Sequence, residues 1–540
     1  MSDFVLCLKK HDLSKPEDLL FSEKLGPTEG CILNVYGSQK TFSIIRKSQD
    51  WLCSIGYTCF HNMPSMNDTL NRILLSFDEK KIGDIKRQLV GQYILIIRKD
   101  KHLFIFSDFL GARNIFYSKD SDIFCSSFSF LERSIGIDPN DLNRYKLIEY
   151  FAVREVLYPC WLGRETINKK INWLLPYEYI KINIDNYDSK INFLNHFINN
   201  KKESDVQVLS EKLIDSLELA IYREEFKNSV VCSSITGGRD SRLVATMVAR
   251  KYPRCNYRIA ISSINKNSLK DFEVAKKICK INNISLDIYE LNLPDDEKIF
   301  KKITENFTPA FNIIMTPIFT NAYKYALGFG GVYGTELFTP IEHKNMGEYL
   351  TRVIAKTRKV LTVNEHFWPY FSSSLSDQIK EIKAHYYFEN DDDRDYIRLL
   401  HLLITARYSS FIISAFNQFG YHLEPFGSFP VIELAFKISP ELWGNKRSIV
   451  GDALIERAAQ SKLSPRAARV IAYSSYRPAT PFSIWSSPIY LWGYARHLSA
   501  WVASKIVSTN KKEPKEIMPG MFYASDGWER YYLEKAKAYF

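Results

Sequence analysis

Between an apolar run, Ser229-Val230-Val231-Cys232, and a helical pattern, Leu243-Val244-Ala245-Thr246-Met247-Val248-Ala249, lies the string Ser233-Ser234-Ile235-Thr236-Gly237-Gly238-Arg239-Asp240-Ser241-Arg242. A β-type run, a hydroxyl- and glycine-rich turn and a helix start confine this part of the chain to a strand–loop–helix unit. Such a loop is an anion cradle. Glycines let backbone N–H groups approach a phosphate closely, and the helix N-terminus adds partial positive charge. Asp240 in its middle suits a phosphate only if a divalent cation sits between them. The competing reading is an ordinary loop in which Asp240 or Ser241 caps a helix. The string lacks the lysine of a Walker loop and the spacing of the dinucleotide fingerprint.

The sequence downstream extends the unit. Residues 257–263 (YRIAISS) predict a second strand, the segment Asp271-Phe272-Glu273-Val274-Ala275-Lys276-Lys277-Ile278 a helix, and residues 285–291 (SLDIYEL) a third strand. Strands alternating with helices predict a parallel sheet with crossover helices. Ligands of such sheets bind beyond the carboxyl ends of the strands, where this loop lies.

The loop resembles the Ser-Gly-Gly-Xaa-Asp-Ser turn of enzymes that release pyrophosphate from ATP, with Thr236 at the first serine. Taken with other segments, the chain resembles the asparagine synthetase superfamily, which includes β-lactam synthetases and lasso-peptide cyclases. Asp271 to Ala275 is similar to the family's Asp-x-x-x-Ala segment, and Gly331-Val332-Tyr333-Gly334-Thr335-Glu336-Leu337-Phe338 to its Gly-Glu-Gly-Ala-Asp-Glu-Leu-Phe segment. Pro425-Phe426, with Val431-Ile432-Glu433-Leu434-Ala435 and Ser439-Pro440-Glu441-Leu442, resembles its Pro-Phe-Leu-Asp segment and following helix. In the first half, Leu89-Val90-Gly91-Gln92-Tyr93-Ile94-Leu95-Ile96 resembles the family's Gly-x-Phe/Tyr-Ala strand. Ser107-Asp108-Phe109-Leu110-Gly111-Ala112-Arg113-Asn114-Ile115-Phe116-Tyr117 resembles Asp-x-x-Gly-x-Arg-x-Leu-Tyr-Tyr, and Thr166-Ile167 to Leu175-Pro176 the hinge strand.

The resemblance implies an α/β protein in two parts. Residues 1–190 are expected to form a degenerate class II glutaminase-like domain, an N-terminal nucleophile-type α/β sandwich. Residues 206–540 are expected to form a parallel-sheet, ATP-pyrophosphatase-type (adenine nucleotide α-hydrolase-like) synthetase domain with many helices. A polar Asn- and Lys-rich stretch, 185–205, is the expected linker, and a helical run over 206–226 leads into the sheet.

Departures from the family pattern narrow the function. Glutamine-hydrolysing members carry an N-terminal Cys, whereas this chain begins Met1-Ser2-Asp3-Phe4. A hydroxyl is a far poorer nucleophile than a thiol near neutral pH, and Cys7 is too far along to serve. Thr335 stands where the family has a magnesium-binding Asp, and Val332 where it has Glu or Tyr. Ser428 stands at the Asp of Pro-Phe-Leu-Asp. The resemblance implies ATP and Mg2+, with Ser234, Thr236, Gly237, Gly238, Asp240, Ser241, Ser262 and Gly331 around the nucleotide and Asp240 and Glu336 on the metal. Glu336 and Tyr333 are candidate bases for the attacking amine, and Arg477 replaces a late family Lys. Arg407 is a candidate carboxylate or phosphate ligand, or an exposed structural Arg.

The implied reaction is adenylation of a substrate carboxylate, with pyrophosphate released, then acyl transfer to an amine, without glutaminase activity. A small-molecule or peptide substrate in secondary-metabolite, peptide-modification or surface-polysaccharide chemistry is expected, with a precursor peptide or pathway enzyme as partner. The alternatives are an asparagine synthetase proper, fed by glutamine or ammonia, and a non-catalytic homologue that binds nucleotide or a partner. A tRNA-modifying enzyme with the same loop is a further rival.

The formal charge of +11 suits an acidic ligand, but the lysines are scattered, as at Lys201-Lys202, Lys276-Lys277 and Lys511-Lys512. They read as solvated faces, and no nucleic-acid partner is expected. The nine cysteines have no zinc-type spacing, and with no signal peptide they point to a reducing cytoplasm. No apolar run of membrane-spanning length is expected. Residues 488–506 come nearest, broken by Arg496, His497 and Lys505, and read as a core-packed amphipathic helix.

Overall fold

The computed structural model describes residues 3–8, 19–25, 32–36, 41–118, 120–136, 138–154, 158, 160–261, 266–292, 318, 321–343, 345–359, 361, 363–417, 420–445 and 451–471. Of the expectations above, Ser2, Ser262, Arg477 and the 488–506 segment lie outside the described residues.

The central strands of the first half are apolar over most of their length, because both of their faces are covered. In Tyr93–Lys99, Ile94 and Ile96 point one way while Tyr93, Leu95 and Ile97 point the other, and all five are buried. Two six-stranded antiparallel sheets result. Between them lie Phe4, Leu6, Leu33 and Val35 from one sheet, and Trp51, Cys53, Ile55, Ile105, Ile180 and Ile182 from the other. The outer face of the first sheet, with Val5, Cys7, Phe116 and Cys125, is covered by Leu131 of the Phe128–Ile135 helix and Tyr150 of the Arg144–Arg154 helix. The outer face of the second is covered by the Met66–Ser76 helix. That helix is capped by the Ser65 hydroxyl, which accepts the Asp68 N–H, and its apolar stripe Met66, Leu70, Ile73 and Leu74 follows helical spacing. The layers run helix, sheet, sheet, helix.

The 185–205 stretch, expected as a linker, carries strands. Ser189–Phe193 completes the second sheet on Glu178–Asn183, and His196–Ile198 pairs in parallel with Tyr386–Phe388 of the second half. The two halves therefore meet through shared β-structure, and one continuous apolar core runs from Leu52, Leu95 and Phe106 to Leu209, Val244 and Phe329.

The second half centres on a five-stranded parallel sheet in spatial order Leu286–Glu290, Cys255–Ile261, Val231–Ser234, Leu327–Phe329, Tyr421–Leu423. In chain order this is 3-2-1-4-5. The helices Asp240–Lys251 and Lys266–Asn282 follow the first and second strands, and four more, ending with Asp393–Asn417, lie between the fourth and fifth. By length and composition that last helix is apolar enough to cross a bilayer, where the sequence reading expected no such run. It is a core helix, with 76% of its apolar window buried and with Asp395, Arg398 and Arg407 buried along it.

Buried polar clasps lock the halves together. Gln92 donates to the Glu424 carbonyl at 3.3 Å and accepts the Glu424 N–H at 3.0 Å. Arg407, expected as a ligand-binding or exposed side chain, is 3% exposed and donates to the Trp161 carbonyl at 2.7 Å. It reaches across to the first half instead of to a ligand. Gln92→Leu leaves a buried backbone N–H unpaired, so a loss of about 1–3 kcal/mol is expected. Urea unfolding followed by fluorescence and by circular dichroism checks it, and both signals should shift together because the core is shared.

Candidate functional site

In a 3-2-1-4-5 parallel sheet the connections diverge between the first and fourth strands, leaving a crevice at their carboxyl ends. The loop after Val231–Ser234 and the turn after Leu327–Phe329 border that crevice. A cleft of about 440 Å³ opens there, lined among others by Ser234, Thr236, Gly238, Asp240, Ser241, Gly331, Tyr333 and Glu336. The fold thus brings together the described residues expected at a nucleotide site, apart from Gly237, which stands behind the loop.

The loop is held from within. The Thr236 N–H and hydroxyl both meet the Ser241 hydroxyl, at 3.1 and 2.9 Å, and the Gly238 N–H donates to Thr236 Oγ1 at 3.2 Å. The Gly237 N–H bonds the carboxylate of Asp271, which burial pushes above the ordinary carboxylate range against the pull of that bond. Arg242, fully buried, donates to the Val470 carbonyl at 2.7 Å and to that of Ala467 at 3.2 Å, anchoring the helix start. Asp240 opens the Asp240–Lys251 helix.

The facing turn packs hard against this helix. A Cβ on Gly331 would come within 2.7 Å of the Ser241 backbone, and one on Gly334 within 2.7 Å of the Asp240 side chain. Glycine is required at both for close approach. Thr335, where the family resemblance expects an Asp, donates its hydroxyl to Asp240 Oδ2 at 2.8 Å. Glu336 lines the same cleft and is 6% exposed. The residues expected on a metal therefore share one cleft, as hard oxygen donors suited to Mg2+. Among the described residues no group of three or more His, Cys, Asp or Glu is placed to hold a metal ion.

Tyr333 is placed differently from a proton-transfer group. Its backbone is left-handed, φ 80°, and its hydroxyl meets Ser409 Oγ at 2.8 Å inside the core. Burial drives its pKa well above the ordinary phenol range, so its contact supports the turn. Ser428, at the position of the family's last Asp, donates to the Pro425 carbonyl at 2.8 Å and stands as N-cap of Phe429–Lys437. Cys7 lies in a sheet, where burial pushes its thiol up to about 12, far from an exposed nucleophile.

Several lining residues were missed by the sequence reading. Tyr158 reaches the cleft from the first half, stacked on Tyr408 with centroids 4.8 Å apart. Burial, then the nearby Glu336, Tyr408 and Asp240, raise its pKa. Thr405 is 2% exposed, and its hydroxyl has no hydrogen-bond partner among the described residues. With Ile412 and Phe416 it forms one stripe of the Asp393–Asn417 helix along the cleft. His422 and Glu424 also line it. Their signal was two polar residues at alternate positions of an apolar run.

No known protein family matches the chain by sequence profile, and no curated protein matches it. Among solved structures it is similar to the U34-tRNA thiolase NcsA from Methanococcus maripaludis with its [4Fe-4S] cluster, at 12% identity over 60% of this chain and 80% of that one, TM-score 0.22. It is similar to the glutamine phosphoribosylpyrophosphate amidotransferase from B. subtilis complexed with ADP and GMP, at 12% identity over 49% and 61%, TM-score 0.19. A third, described as the allosteric regulatory enzyme of purine biosynthesis, shares 13% identity over 44% and 53%, TM-score 0.18. The latter two matches span less than two thirds of those chains. At these scores the likenesses carry no argument about the site.

Gly331→Ala forces a methyl group against the Ser241 backbone. A destabilisation of about 1–3 kcal/mol is expected from such overpacking, measured by urea denaturation, with faster amide exchange across residues 232–243.

Proposed function

We propose that this cleft binds the triphosphate of ATP and that the protein is an amide-bond-forming, AMP-releasing ligase. One observation carries the reading: the loop with Thr236, Gly238 and Asp240 and the turn with Thr335 and Glu336 face each other across the switch point of a parallel sheet. The first turn of the Asp240–Lys251 helix offers N–H groups and partial positive charge to phosphate oxygens. Thr236 and Ser241 supply hydroxyls. Asp240 and Glu336 would hold Mg2+, which when bound neutralises phosphate charge.

In this reading a substrate carboxylate, seated on the side of the cleft formed by Tyr158, Thr405, Ile412 and Phe416, is placed for attack on the α-phosphorus. Positioning and fixed charge do most of the work in such a step. Glu336 is the group proposed to accept the proton of an attacking amine, and Ser262 and Arg477 remain proposed contributors. Tyr333 acts through its grip on Ser409. On the reading that the first half carries no glutaminase chemistry, the amine comes from free ammonia or from the substrate itself, and this, with Val332 and Thr335 at two family positions, favours peptide, secondary-metabolite or surface-polysaccharide modification over asparagine synthesis. The eight described cysteines are all buried and outside any disulfide, in keeping with a cytoplasmic setting.

A second reading, a nucleotide-binding protein without turnover, is favoured by Thr335. A neutral hydroxyl meets Asp240 there. ATP–pyrophosphate exchange over a panel of amino acids, peptides and hydroxy acids separates the two. Substrate-dependent exchange is expected, and Asp240→Asn should lower it by on the order of 100-fold. ATP binding with no exchange on any acid would favour the second reading, and full exchange in the variant would reject the assigned loop.

A further inference from the structure

Under the cleft floor runs a chain of buried polar groups with no part in the scheme above. Arg258, on the second strand, donates Nε–H to Ser234 Oγ at 3.1 Å, and its Nη2 lies 3.3 Å from His422 Nδ1. His422 Nε2 lies 2.8 Å from Glu424 Oε1, and Glu424 Oε2 accepts the Val332 N–H at 2.8 Å. Arg258, His422 and Glu424 are each at most 3% exposed. A guanidinium can only donate, so Nδ1 must accept and Nε2 must carry the hydrogen given to Glu424. The imidazole is then a neutral bridge between a cation and an anion.

The packing leaves the ring one position. Phe416 lies flat on it at 4.1 Å and 12°, and the Arg258 guanidinium stands 4.6 Å from the centroid of that same phenyl ring. A Cβ on Gly328 of the adjoining strand would sit 3.0 Å from Arg258 Nη2 and 3.2 Å from His422 Nδ1. The chain ends on the two loops that border the cleft, Ser234 before the Thr236–Asp240 turn and Val332 in the opposite turn.

We infer that His422 is a positioning residue that fixes the spacing of the two cleft loops, and that it does so only while its ring is neutral. Its effect on nucleotide affinity rests on the ATP-binding reading; the spacing itself does not. Among the described residues the charged groups facing the ring are Arg258 and Glu424. Phe416 and Gly328, on the other elements packed against it, bring no charge, and Asp287 lies beside Arg258 on the third strand. Burial lowers the pKa of His422; its bond to Glu424 and that residue's charge oppose the fall, and Arg258 adds to it. A further proton must enter at Nδ1, against the guanidinium, and breaks the Arg258 bond. The folded pKa lies below the unfolded one, near 6.5. The stabilisation is therefore complete above about pH 6.5 and is lost as pH falls through the folded value.

Amide hydrogen exchange of the full chain without ligand, across residues 232–243 and 328–338, tests this in wild type, His422→Gln and His422→Leu. Glutamine offers both an acceptor and a donor but cannot take a charge. His422→Leu should speed exchange in both segments by about tenfold near neutral pH, the effect of losing one buried charge-assisted bond. His422→Gln should protect them nearly as wild type does near neutral pH, and its protection should not fall as the pH drops below about 6.5, where wild type loosens. Unchanged protection in His422→Leu, or the same pH profile in wild type and His422→Gln, overturns the inference. If His422→Leu does not fold, the wild type and His422→Gln comparison decides alone. Titration of each protein with a fluorescent ATP analogue and Mg2+ runs beside it. Protection that behaves as expected without analogue binding in wild type overturns the nucleotide reading and leaves the positioning role standing.

Discussion

The side chain of Glu424 accepts hydrogen bonds from His422 and Val332, while its backbone exchanges two with Gln92. A carboxylate this deeply buried is costly unless its oxygens are satisfied. Each partner belongs to a different part of the molecule: the strand that carries Glu424, the turn that faces the phosphate-type loop, and the sandwich of the first half. Satisfying both the carboxylate and the backbone of this one residue thus specifies how three parts of the chain meet, and the cleft lies where they do.

Around that point the close approach of backbones replaces side-chain bulk. Gly331 and Gly334 let the turn press on the start of the Asp240–Lys251 helix. Tyr333 between them adopts a left-handed backbone, which costs on the order of 1–2 kcal/mol for a residue with a Cβ. Its phenol, locked to Ser409 and sealed from water, opposes that cost. The result holds Asp240 against Thr335 and keeps Glu336 on the same wall.

Much of the second half was legible because its signals are local. An apolar run, a glycine-rich turn and a helical period lie within twenty residues of one another at 229–249, and the strands at 255–261 and 286–290 fall within two residues of their expected places. The contacts that complete the site were not legible, because they join residues far apart in sequence. Gln92 and Glu424 are separated by 332 positions. Nothing near Tyr158 marks it as part of a cleft built from the other half. Arg407 read as a ligand-binding or exposed side chain, since local sequence cannot tell a cation aimed at a ligand from one aimed at a distant carbonyl. The polar composition of 185–205 suggested a tether, yet strand pairing there is satisfied by backbone groups and tolerates polar side chains. In the first half, central strands buried on both faces lack alternation, so sequence period does not reveal their layering.

The continuous core between the sandwich and the parallel sheet has a practical side. Severing the chain between them would not release a self-sufficient second half. It would strip the cover from Tyr57, Phe109 and Tyr177 on one fragment and from Tyr386, Tyr421 and Phe429 on the other, leaving two sticky surfaces where there had been an interior. A recombinant fragment of either part would be driven towards aggregates. The sandwich serves the second half as a folding partner.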